Sequence, residues 1–509
     1  MLEAIDPRWA WEPYQPSEKT PWDIRKVGHL YRRAAFGASW TELNAGLAAG
    51  PEKTIELLLK GGPQQDASAS GVRGQGSGVS KDAGGYSSLT PGPSPLTPAS
   101  ESFEQDTAKL AESIARSNSG QQARVWWLYR MLYNPHPLRE KLALFWHNHF
   151  ATSNAKVNNA GYMLGQYQLV YRHAQGNFAV LLQDLSKDPA MMVWLDTSQS
   201  KKGKPNENYA RELMELFSLG IGHYTETDIR EAARAFTGWE IQQGKGVFKQ
   251  NQHDDGEKTV LGQKGKWTGE DIVRICLEQN STPYFIAEKL YRFLISETVP
   301  ATPELLEPLA TQFRKSGYDF GAMVETVLRS NLFFSPRVYR TRVKSPIDFA
   351  VGTIRALEGQ VLDPERKGSL GISALALALE GLGQNVFYPP SVKGWDGGQS
   401  WLNGQTLLFR QNLALALTST EDARFSRRTD PAYLVRKYGK SADAEVVDFF
   451  VQLFLHGDVP PPARSQLLEY QQQSSKLHAP AYWTEQDAAD HRVRSLCHLV
   501  LTLPEFQLS

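Results

Sequence analysis

The sequence of 509 residues has few cysteines and no excess of charge of either sign. Its two cysteines, Cys276 and Cys497, are far apart, which excludes a disulfide framework and a metal site of the Cys-x-x-Cys kind. Lysine plus arginine and aspartate plus glutamate both number 55, so the formal net charge is zero. This balance removes the global electrostatic argument for binding a nucleic acid or an anionic membrane, and we expect neither as a partner.

Long apolar runs are also missing. A membrane-spanning helix needs roughly 18–20 uncharged apolar residues, whereas the stretch Gly371–Gly383 is shorter and contains Glu380. The first residues have no basic start followed by an apolar segment, so they do not form a secretory signal as they stand. We therefore expect a soluble protein without a membrane span that stays in the cytoplasm, with export as a passenger of another protein left open.

Several common catalytic motifs are absent too. The sequence has no HExxH, no GxSxG, no P-loop and no GxGxxG after a predicted strand. These absences disfavour zincin-type metalloenzymes, hydrolases with a nucleophile elbow, P-loop NTPases and dinucleotide-binding enzymes.

Helical periodicity is what most of the sequence does show. Apolar residues recur at i, i+3, i+4 and i+7 on both sides of the stretch 239–267. Inside that stretch the pattern changes to short pieces separated by glycine and aspartate, which predicts one small β-hairpin between Trp239 and Gly262. The expected fold class is mainly α, a multi-helix globular bundle with one small β-hairpin insert.

Composition divides the chain into four expected regions. An N-terminal helical segment covers 1–62. A disordered low-complexity linker covers 63–102, because Gly, Ser, Pro and Ala dominate it and large apolar side chains are too few to offset the entropy of ordering. A central helical domain with the motifs and the hairpin covers 103–345, and a C-terminal helical region, 346–509, is expected to pack on it.

Histidines and carboxylates are concentrated in the central region. They occur in the strings FWHNHF (145–150), NENYARELMELF (206–217), FTGW (236–239) and HDDGEKT (253–259). Because imidazole and carboxylate groups bind divalent metals and transfer protons, we expect any chemistry to occur here.

His147 and His149 lie near the end of a helix that Pro137 is expected to begin. On a regular helix, residues two apart point about 200° away from each other. The two rings could therefore share one ion only where the helix ends or distorts. The alternative interpretation is a pair of core histidines that are hydrogen-bonded to a neighbouring carboxylate.

The segment Asn206–Phe217 predicts an amphipathic helix. Its polar arc holds Glu207, Asn208, Arg211, Glu212 and Glu215. One interpretation is a solvated face on which Glu207 and Arg211 form an i, i+4 ion pair. The other is that the arc lines a pocket, where Glu212 and Glu215 converge on a cation and Arg211 positions a substrate.

These motifs predict one site. The predicted ligands of a divalent transition metal (Mn, Fe or Zn) are His147, His149, Glu212, Glu215 and His253. The predicted catalytic residues are Glu207, Arg211 and Asp254, the last on a loop that would place polar groups at the mouth of the site. The alternative for this loop is a charged surface turn.

The order of six segments resembles a known family. The segments are His29–Gly37, Arg139–Ser153, Asn206–Gly220, Asp228–Trp239, His253–Gly262 and Pro389–Asn403. They are similar to the bacterial domain of unknown function numbered eighteen-hundred, over nearly the whole chain except 63–102 and the extreme N-terminus. The resemblance implies a large, mostly helical protein, often encoded beside an exported sulfatase-like protein, and it implies no mechanism.

Two hypotheses for function follow. The first is a metal-dependent enzyme, a hydrolase or an oxidoreductase, on a helical scaffold. The second is a non-catalytic partner, an assembly or export factor of the sulfatase-like protein. The second rests on the 13 tryptophans and on the loop Tyr388–Trp401, because exposed aromatic side chains make recognition surfaces. The alternative for these tryptophans is ordinary core packing.

Overall fold

The computed structural model describes residues 5–61, 100–360, 370–422, 424–425, 429–474, 480 and 482–509. Within these ranges the chain is mainly helical, and the strands form two small antiparallel hairpins. The predicted fold class is therefore confirmed, with two hairpins in place of one. The predicted linker 63–102 lies outside the described residues except for its last three positions, which begin a helix. No helix in the described ranges is both long enough and apolar enough to cross a bilayer.

The N-terminal helices begin and end at capping residues. They are α1 (Pro7–Trp11), α2 (Ile24–Ala34) and α3 (Trp40–Lys60). Ser39 and Glu42 form a capping box at the start of α3. The helix changes direction at Gly50, whose φ of 80° suits a residue without a side chain, immediately before Pro51.

The centre of the core lies around two consecutive helices. The helices of this part are α4 (Ser100–Ser117), α5 (Gly120–Tyr133), α6 (Pro137–His149), α7 (Asn154–Val157), α8 (Ala160–Arg172), α9 (Phe178–Leu185) and α10 (Pro189–Trp194). Trp126 and Trp127 on α5 and Trp146 on α6 are almost completely buried. An aromatic side chain removes roughly 150–250 Å² from water on burial, so these rings contribute much of the apolar stabilisation here. As a result α6 packs against α2, α3, α5 and α8.

The predicted amphipathic helix is present but changes its winding. It begins as α11 (Asn208–Glu212) and continues as a π-helical turn over Leu213–Ser218. Such turns widen the helix locally and are frequent at functional sites. The next helix is α12 (Glu226–Ala235), which begins with a capping box formed by Thr225 and Asp228.

Each hairpin has a tight two-residue turn. Strand β1 (Trp239–Gln242) pairs with β2 (Lys245–Phe248), and β3 (Lys258–Val260) pairs with β4 (Gln263–Gly265). Positive φ angles at Gln243 and Gly244, and at Leu261 and Gly262, give the backbone that a type I′ turn requires. The second hairpin escaped prediction because strands this short show no alternation.

The rest of the chain returns to helices. They are α13 (Gly269–Leu277), α14 (Ser281–Leu294), α15 (Pro303–Lys315), α16 (Phe320–Arg329), α17 (Pro346–Ala356), α18 (Leu370–Gly381), α19 (Gly404–Thr418), α20 (Pro431–Lys437), α21 (Asp443–Leu455), α22 (Pro461–Ser474) and α23 (Glu485–Thr502). Among the described residues, one cluster of buried apolar side chains extends from Ala10 to Phe506. This core joins the N-terminal, central and C-terminal regions, and the boundary at 345/346 stays a prediction.

Candidate functional site

A loop far along the chain covers the C-terminal end of α6. His147 Nε2 accepts a hydrogen bond from the backbone N–H of Phe387 at 3.2 Å, and the His147 ring lies 5.7 Å from that of Trp395. Asn148 forms hydrogen bonds with the backbone of Trp395. The FWHNHF motif therefore holds the 385–398 loop, which contains the sequence KGWDGG, against the helical core.

His147 and His149 are buried in opposite tautomers. His147 Nε2 accepts a hydrogen bond and so carries no proton, whereas His149 Nε2 donates to the carbonyl of Phe217 at 3.0 Å. Burial lowers the pKa of His147 to about 3. Burial, together with the nearby Lys289, lowers the pKa of His149 to about 3 as well. Both rings are therefore neutral near pH 7, which matches the interpretation of core histidines, although their partners are backbone groups rather than carboxylates.

Glu212 stands where α11 passes into the π turn. Its side chain is half-buried, and no hydrogen bond or ion pair of it occurs within the described part of the chain. Burial and then the neighbouring Glu215 carboxylate raise the pKa of Glu212, while Arg211 and Lys393 of the 385–398 loop oppose the rise. The pKa of Glu212 is therefore raised above its ordinary value, mainly because the side chain is half-buried.

Glu215, in contrast, has a partner. It accepts a hydrogen bond from the Tyr224 hydroxyl at 2.7 Å. Burial and then this carboxylate raise the pKa of Tyr224 above its ordinary value, so the phenol remains a donor. The two glutamates of the π turn therefore have different environments.

Arg211 connects two helices. Its guanidinium donates to both carboxylate oxygens of Glu226 at 2.8 Å each and to Glu207 at 3.3 Å. The i, i+4 ion pair between Glu207 and Arg211 is therefore present, and the bidentate contact with Glu226 ties α11 to the start of α12.

His253 and Asp254 belong to a separate cluster. His253 Nδ1 donates to the carbonyl of Thr237 at 3.0 Å, and the Asp254 carboxylate accepts from Arg234 at 2.8 and 3.2 Å. The hydrogen bond from Arg234 holds the pKa of Asp254 at about 2. The HDDGEKT and FTGW motifs thus fasten the hairpin region to α12.

The predicted metal ligands are not assembled in this arrangement. Within the described ranges, no group of three or more His, Cys, Asp or Glu side chains is arranged to hold a metal ion. The lone pair of His147 Nε2 is taken by Phe387, and His149 Nε2 is a donor to Phe217. His253 Nδ1 is a donor to the carbonyl of Thr237. The donors present therefore do not fit a metal centre as they stand.

A comparison with known families decides the relationship of the chain. The model of the family described as "Protein of unknown function (DUF1800)" matches residues 29–508. The chain belongs to the DUF1800 family. The resemblance seen in the ordered segments is confirmed, and the DUF1800 match includes every residue of the candidate site. The chain matches no curated protein and no solved structure.

Sequence reasoning missed two lysines of this DUF1800 chain. Lys393 is exposed, and its positive charge lowers the pKa of Glu212. Its position within the segment Pro389–Asn403, one of the six that resemble the family, could have indicated it. Lys289 on α14 is half-buried, lies 5.1 Å from the centre of the Phe285 ring and acts on His149. Burial lowers the pKa of Lys289, but its helix has an ordinary amphipathic pattern that gave no signal.

The tryptophans of the Tyr388–Trp401 loop do not form an exposed surface. Trp395 and Trp401 are each only 7% exposed, so the interpretation as core packing holds for them. Several exposed large apolar side chains lie instead on α18 and α19, where Leu377, Leu408 and Leu415 are more than half exposed, at 58%, 59% and 51%. The exposed apolar side chains of these two helices are mainly aliphatic, with Phe409 at 42% exposure as an aromatic member.

Proposed function

We propose that this DUF1800 protein is an enzyme of the hydrolase class in which Glu212 transfers the proton. One observation carries the proposal. Of the predicted carboxylates Glu207, Glu212, Glu215 and Asp254, Glu212 alone has no hydrogen-bond or ion-pair partner among the described residues. A half-buried carboxyl group with a raised pKa and no partner is the form that general acid–base catalysis uses.

The neighbours of Glu212 support this role. Because Glu215 remains close by, ionising Glu212 brings two negative charges together, and this favours a proton on Glu212. Lys393 of the 385–398 loop favours the ionised form and so opposes this rise in the pKa of Glu212. In the proposed reaction the oxygen of a water molecule forms a bond to the acyl, phosphoryl or sulfuryl centre of the ester as the bond to the leaving group breaks. Glu212 donates its proton to the leaving alkoxide and regains a proton from the added water, and Lys393 stabilises negative charge that develops on the substrate.

No step of this proposal uses a metal. Elemental analysis of protein purified without an affinity tag or chelator tests the metal hypothesis directly. A stoichiometric content of Mn, Fe or Zn that is lost in both Glu212→Gln and Glu215→Gln would restore that hypothesis. A transition-metal content near zero in active protein would remove it.

The proposal is tested with Glu212→Gln on chromogenic esters of carboxylic, phosphoric and sulfuric acids. Glutamine keeps the size of the side chain but cannot exchange the proton, so hydrolysis of the accepted ester should fall by about 10²–10⁴-fold. The melting temperature should stay close to that of the wild type. The matched control is Glu52→Gln at an exposed position of α3, which should retain full activity. Wild-type activity that survives in Glu212→Gln, or a wild type inert towards every ester class, would overturn the proposal.

A second candidate is binding to another protein, and the exposed leucines of α18 and α19 favour it. Apolar side chains at adjacent exposed helices are typical of protein interfaces. The partner proposed is the sulfatase-like protein that the family resemblance implies. Leu408→Asp combined with Leu415→Asp should abolish co-purification with that protein, whereas Val180→Asp, at a 46% exposed position of α9, should not. Equal retention by all variants would exclude this surface.

A further inference from the structure

A second polar feature lies away from the residues of the candidate site. A partly open cavity of about 30 Å³ is lined by Arg32 of α2, Lys344, Asp348 of α17 and His456 at the end of α21, with Ser509 and small or apolar side chains as the remaining lining. Arg32, Lys344 and His456 are 6%, 5% and 5% exposed, so their polar ends are shielded from bulk water.

The basic groups of this cavity lack hydrogen-bond acceptors, although the Arg32 guanidinium lies 5.0 Å from the centre of the Tyr339 ring. Arg32 Nε and one of its terminal nitrogens, and His456 Nδ1, are buried without a hydrogen-bond partner in the described part of the chain. Lys344 Nζ lies 3.3 Å from the centre of the Phe506 ring, and no hydrogen bond or ion pair of it occurs among the described residues. Buried donors and charges without acceptors are strongly unfavourable, so a missing acceptor is indicated.

The neighbouring carboxylates do not supply that acceptor. Asp348, the carboxylate on the cavity wall, forms an ion pair with Lys141. Asp458 pairs with Arg340 at 3.2 Å and with Arg25 at 3.3 Å, and it is outside the cavity lining.

Further cations surround the cavity. Arg33 and Arg410 are buried at 0% and 1% exposure, and Arg410 donates to the carbonyl of Lys344 at 2.8 Å. The Glu297 carboxylate forms an ion pair with Arg342 at 2.7 Å. The negative charge of Glu505 opposes the lowering of the Arg340 pKa by burial. The cationic side chains named here therefore outnumber the carboxylates.

Close packing shapes this cavity. A Cβ atom at Gly28 would lie 2.0 Å from the ring of His456, so glycine allows the histidine to press against α2. A Cβ atom at Gly37 would lie 3.3 Å from Gly352 Cα, which brings the end of α2 close to α17. Of the segment His29–Gly37, Arg32 and Gly37 line the cavity.

We propose that this cavity binds a small inorganic oxyanion of the phosphate or sulfate class, held by Arg32, Lys344 and His456. A guanidinium group can donate two parallel hydrogen bonds to such an anion, and an ammonium group adds a point charge. The space holds two or three water molecules, which is comparable to the volume of one small tetrahedral oxyanion.

The site predicts a protonation change on binding. Burial, then Arg32, Arg340 and Arg410, lower the pKa of Lys344 well below its ordinary value, and Asp348 opposes them. An anion beside Lys344 adds negative charge and raises that pKa. Binding should therefore take up protons, which calorimetry detects as a binding enthalpy that changes with the ionisation enthalpy of the buffer.

The test compares melting temperatures in phosphate, sulfate and chloride at one ionic strength, with protein first dialysed free of oxyanions. The midpoint of the wild type should rise with the logarithm of phosphate or sulfate concentration, since a ligand of the folded state stabilises it by mass action. Arg32→Gln and Lys344→Met should each weaken this response by roughly tenfold or more. Lys53→Met, which removes one exposed charge on α3, should respond as the wild type does.

A second measurement keeps the proposal testable if a variant does not fold. Wild-type protein that has not been dialysed to remove oxyanions should release phosphate or sulfate in a stoichiometric amount when it is denatured. Ion chromatography detects the released anion. A wild type whose melting temperature responds equally to chloride and to both oxyanions, and that releases neither, would overturn the proposal. Glu212→Gln should keep the anion response, so failure of the proposed enzymatic function would leave this result unchanged.

Discussion

Asn148 holds the backbone of Trp395 through both ends of its side-chain amide. Its Oδ1 accepts from the Trp395 N–H at 2.7 Å, and its Nδ2 donates to the Trp395 carbonyl at 3.3 Å. A side chain at the end of α6 thereby fixes a loop whose Lys393 acts on Glu212. The loop that carries Lys393 is therefore held to α6 by Asn148 as well as by His147.

Gly394→Ala should therefore disturb the loop. Gly394 has a φ of 78°, and an added Cβ would lie 2.2 Å from Asn148 Oδ1 and 2.4 Å from the Asn148 carbonyl oxygen. The positive φ alone costs an alanine roughly 1–2 kcal/mol, and overlap in a packed site adds about 1–3 kcal/mol. Chemical denaturation should show a loss of unfolding free energy near the sum, and ester hydrolysis should fall with it.

Gly203→Ala is the matched control for this substitution. Gly203 has a φ of 81°, but nothing lies within 4 Å of its added Cβ, so only the conformational part of the penalty applies. If the two alanine variants lose equal stability, close contact with Asn148 does not determine the requirement for glycine at position 394.

Much of the fold could be predicted because its signals are local. Helix starts at Ser39, Pro137 and Thr225 follow from capping and from the fixed φ of proline, which depend on neighbouring residues only. The π turn could not be predicted in this way. It accommodates an additional residue in the helix, with Ser218 Oγ donating to the carbonyl of Leu213 at 2.5 Å, and its presence depends on packing around the helix.

The candidate site was predictable in its composition but not in its pairing. Residue types and spacing predicted that Glu212 and Glu215 lie on one polar arc. Only the fold shows that the Tyr224 hydroxyl donates a hydrogen bond to Glu215, whereas Glu212 has no partner among the described residues. The histidines illustrate the same limit. The acceptor of His149 and the donor to His147 are backbone groups of distant segments, and no periodicity in the sequence contains that information.

A second prediction concerns the buried carboxylate of the REKLALFWHNHF segment. Glu140 is 0% exposed, and its carboxylate accepts hydrogen bonds from Arg130 Nε at 2.7 Å and from the Tyr167 hydroxyl at 2.8 Å. The substitution Glu140→Gln would remove the negative charge that neutralises the buried Arg130 guanidinium. Breaking a buried pair by neutralising one partner costs about 3–5 kcal/mol. Denaturant unfolding of Glu140→Gln should show a loss of unfolding free energy near the lower end of this range, because Glu104 remains as a second partner of Arg130.

Glu104→Gln provides the comparison for Glu140→Gln. It makes the same chemical change beside the same arginine, but the Glu104 side chain is 41% exposed. Partly solvated pairs contribute less, so its loss should cost no more than about 1 kcal/mol. Equal losses in the two variants would contradict the claim that burial sets the difference.

The last prediction concerns the pH dependence of stability through Asp188. This carboxyl group is 5% exposed, caps α10 by accepting from the Met191 N–H at 2.9 Å, and accepts from Gln166 at 2.8 Å. Burial raises its pKa to about 7, against about 4 for an unfolded aspartate. Between these values the folded state binds a proton that the unfolded state does not, so this group's contribution to stability falls as pH rises, by at most about 1.4 kcal/mol per pH unit.

Asp188→Asn isolates that contribution. Asparagine keeps an acceptor for the cap but does not titrate, so the stability of the wild type relative to this variant should decline from pH 4 to pH 7 and then level off. The comparison must be a difference, because His147 and His149 act in the opposite direction: their pKa values of about 3 make stability rise with pH up to about 6.5. The control is Asp319→Asn at the exposed cap of α16, where Asp319 accepts from the Ala322 N–H at 3.0 Å. A difference between wild type and Asp188→Asn that is flat across this range would show that Asp188 is ionised in the folded protein, with its hydrogen bonds outweighing the effect of burial.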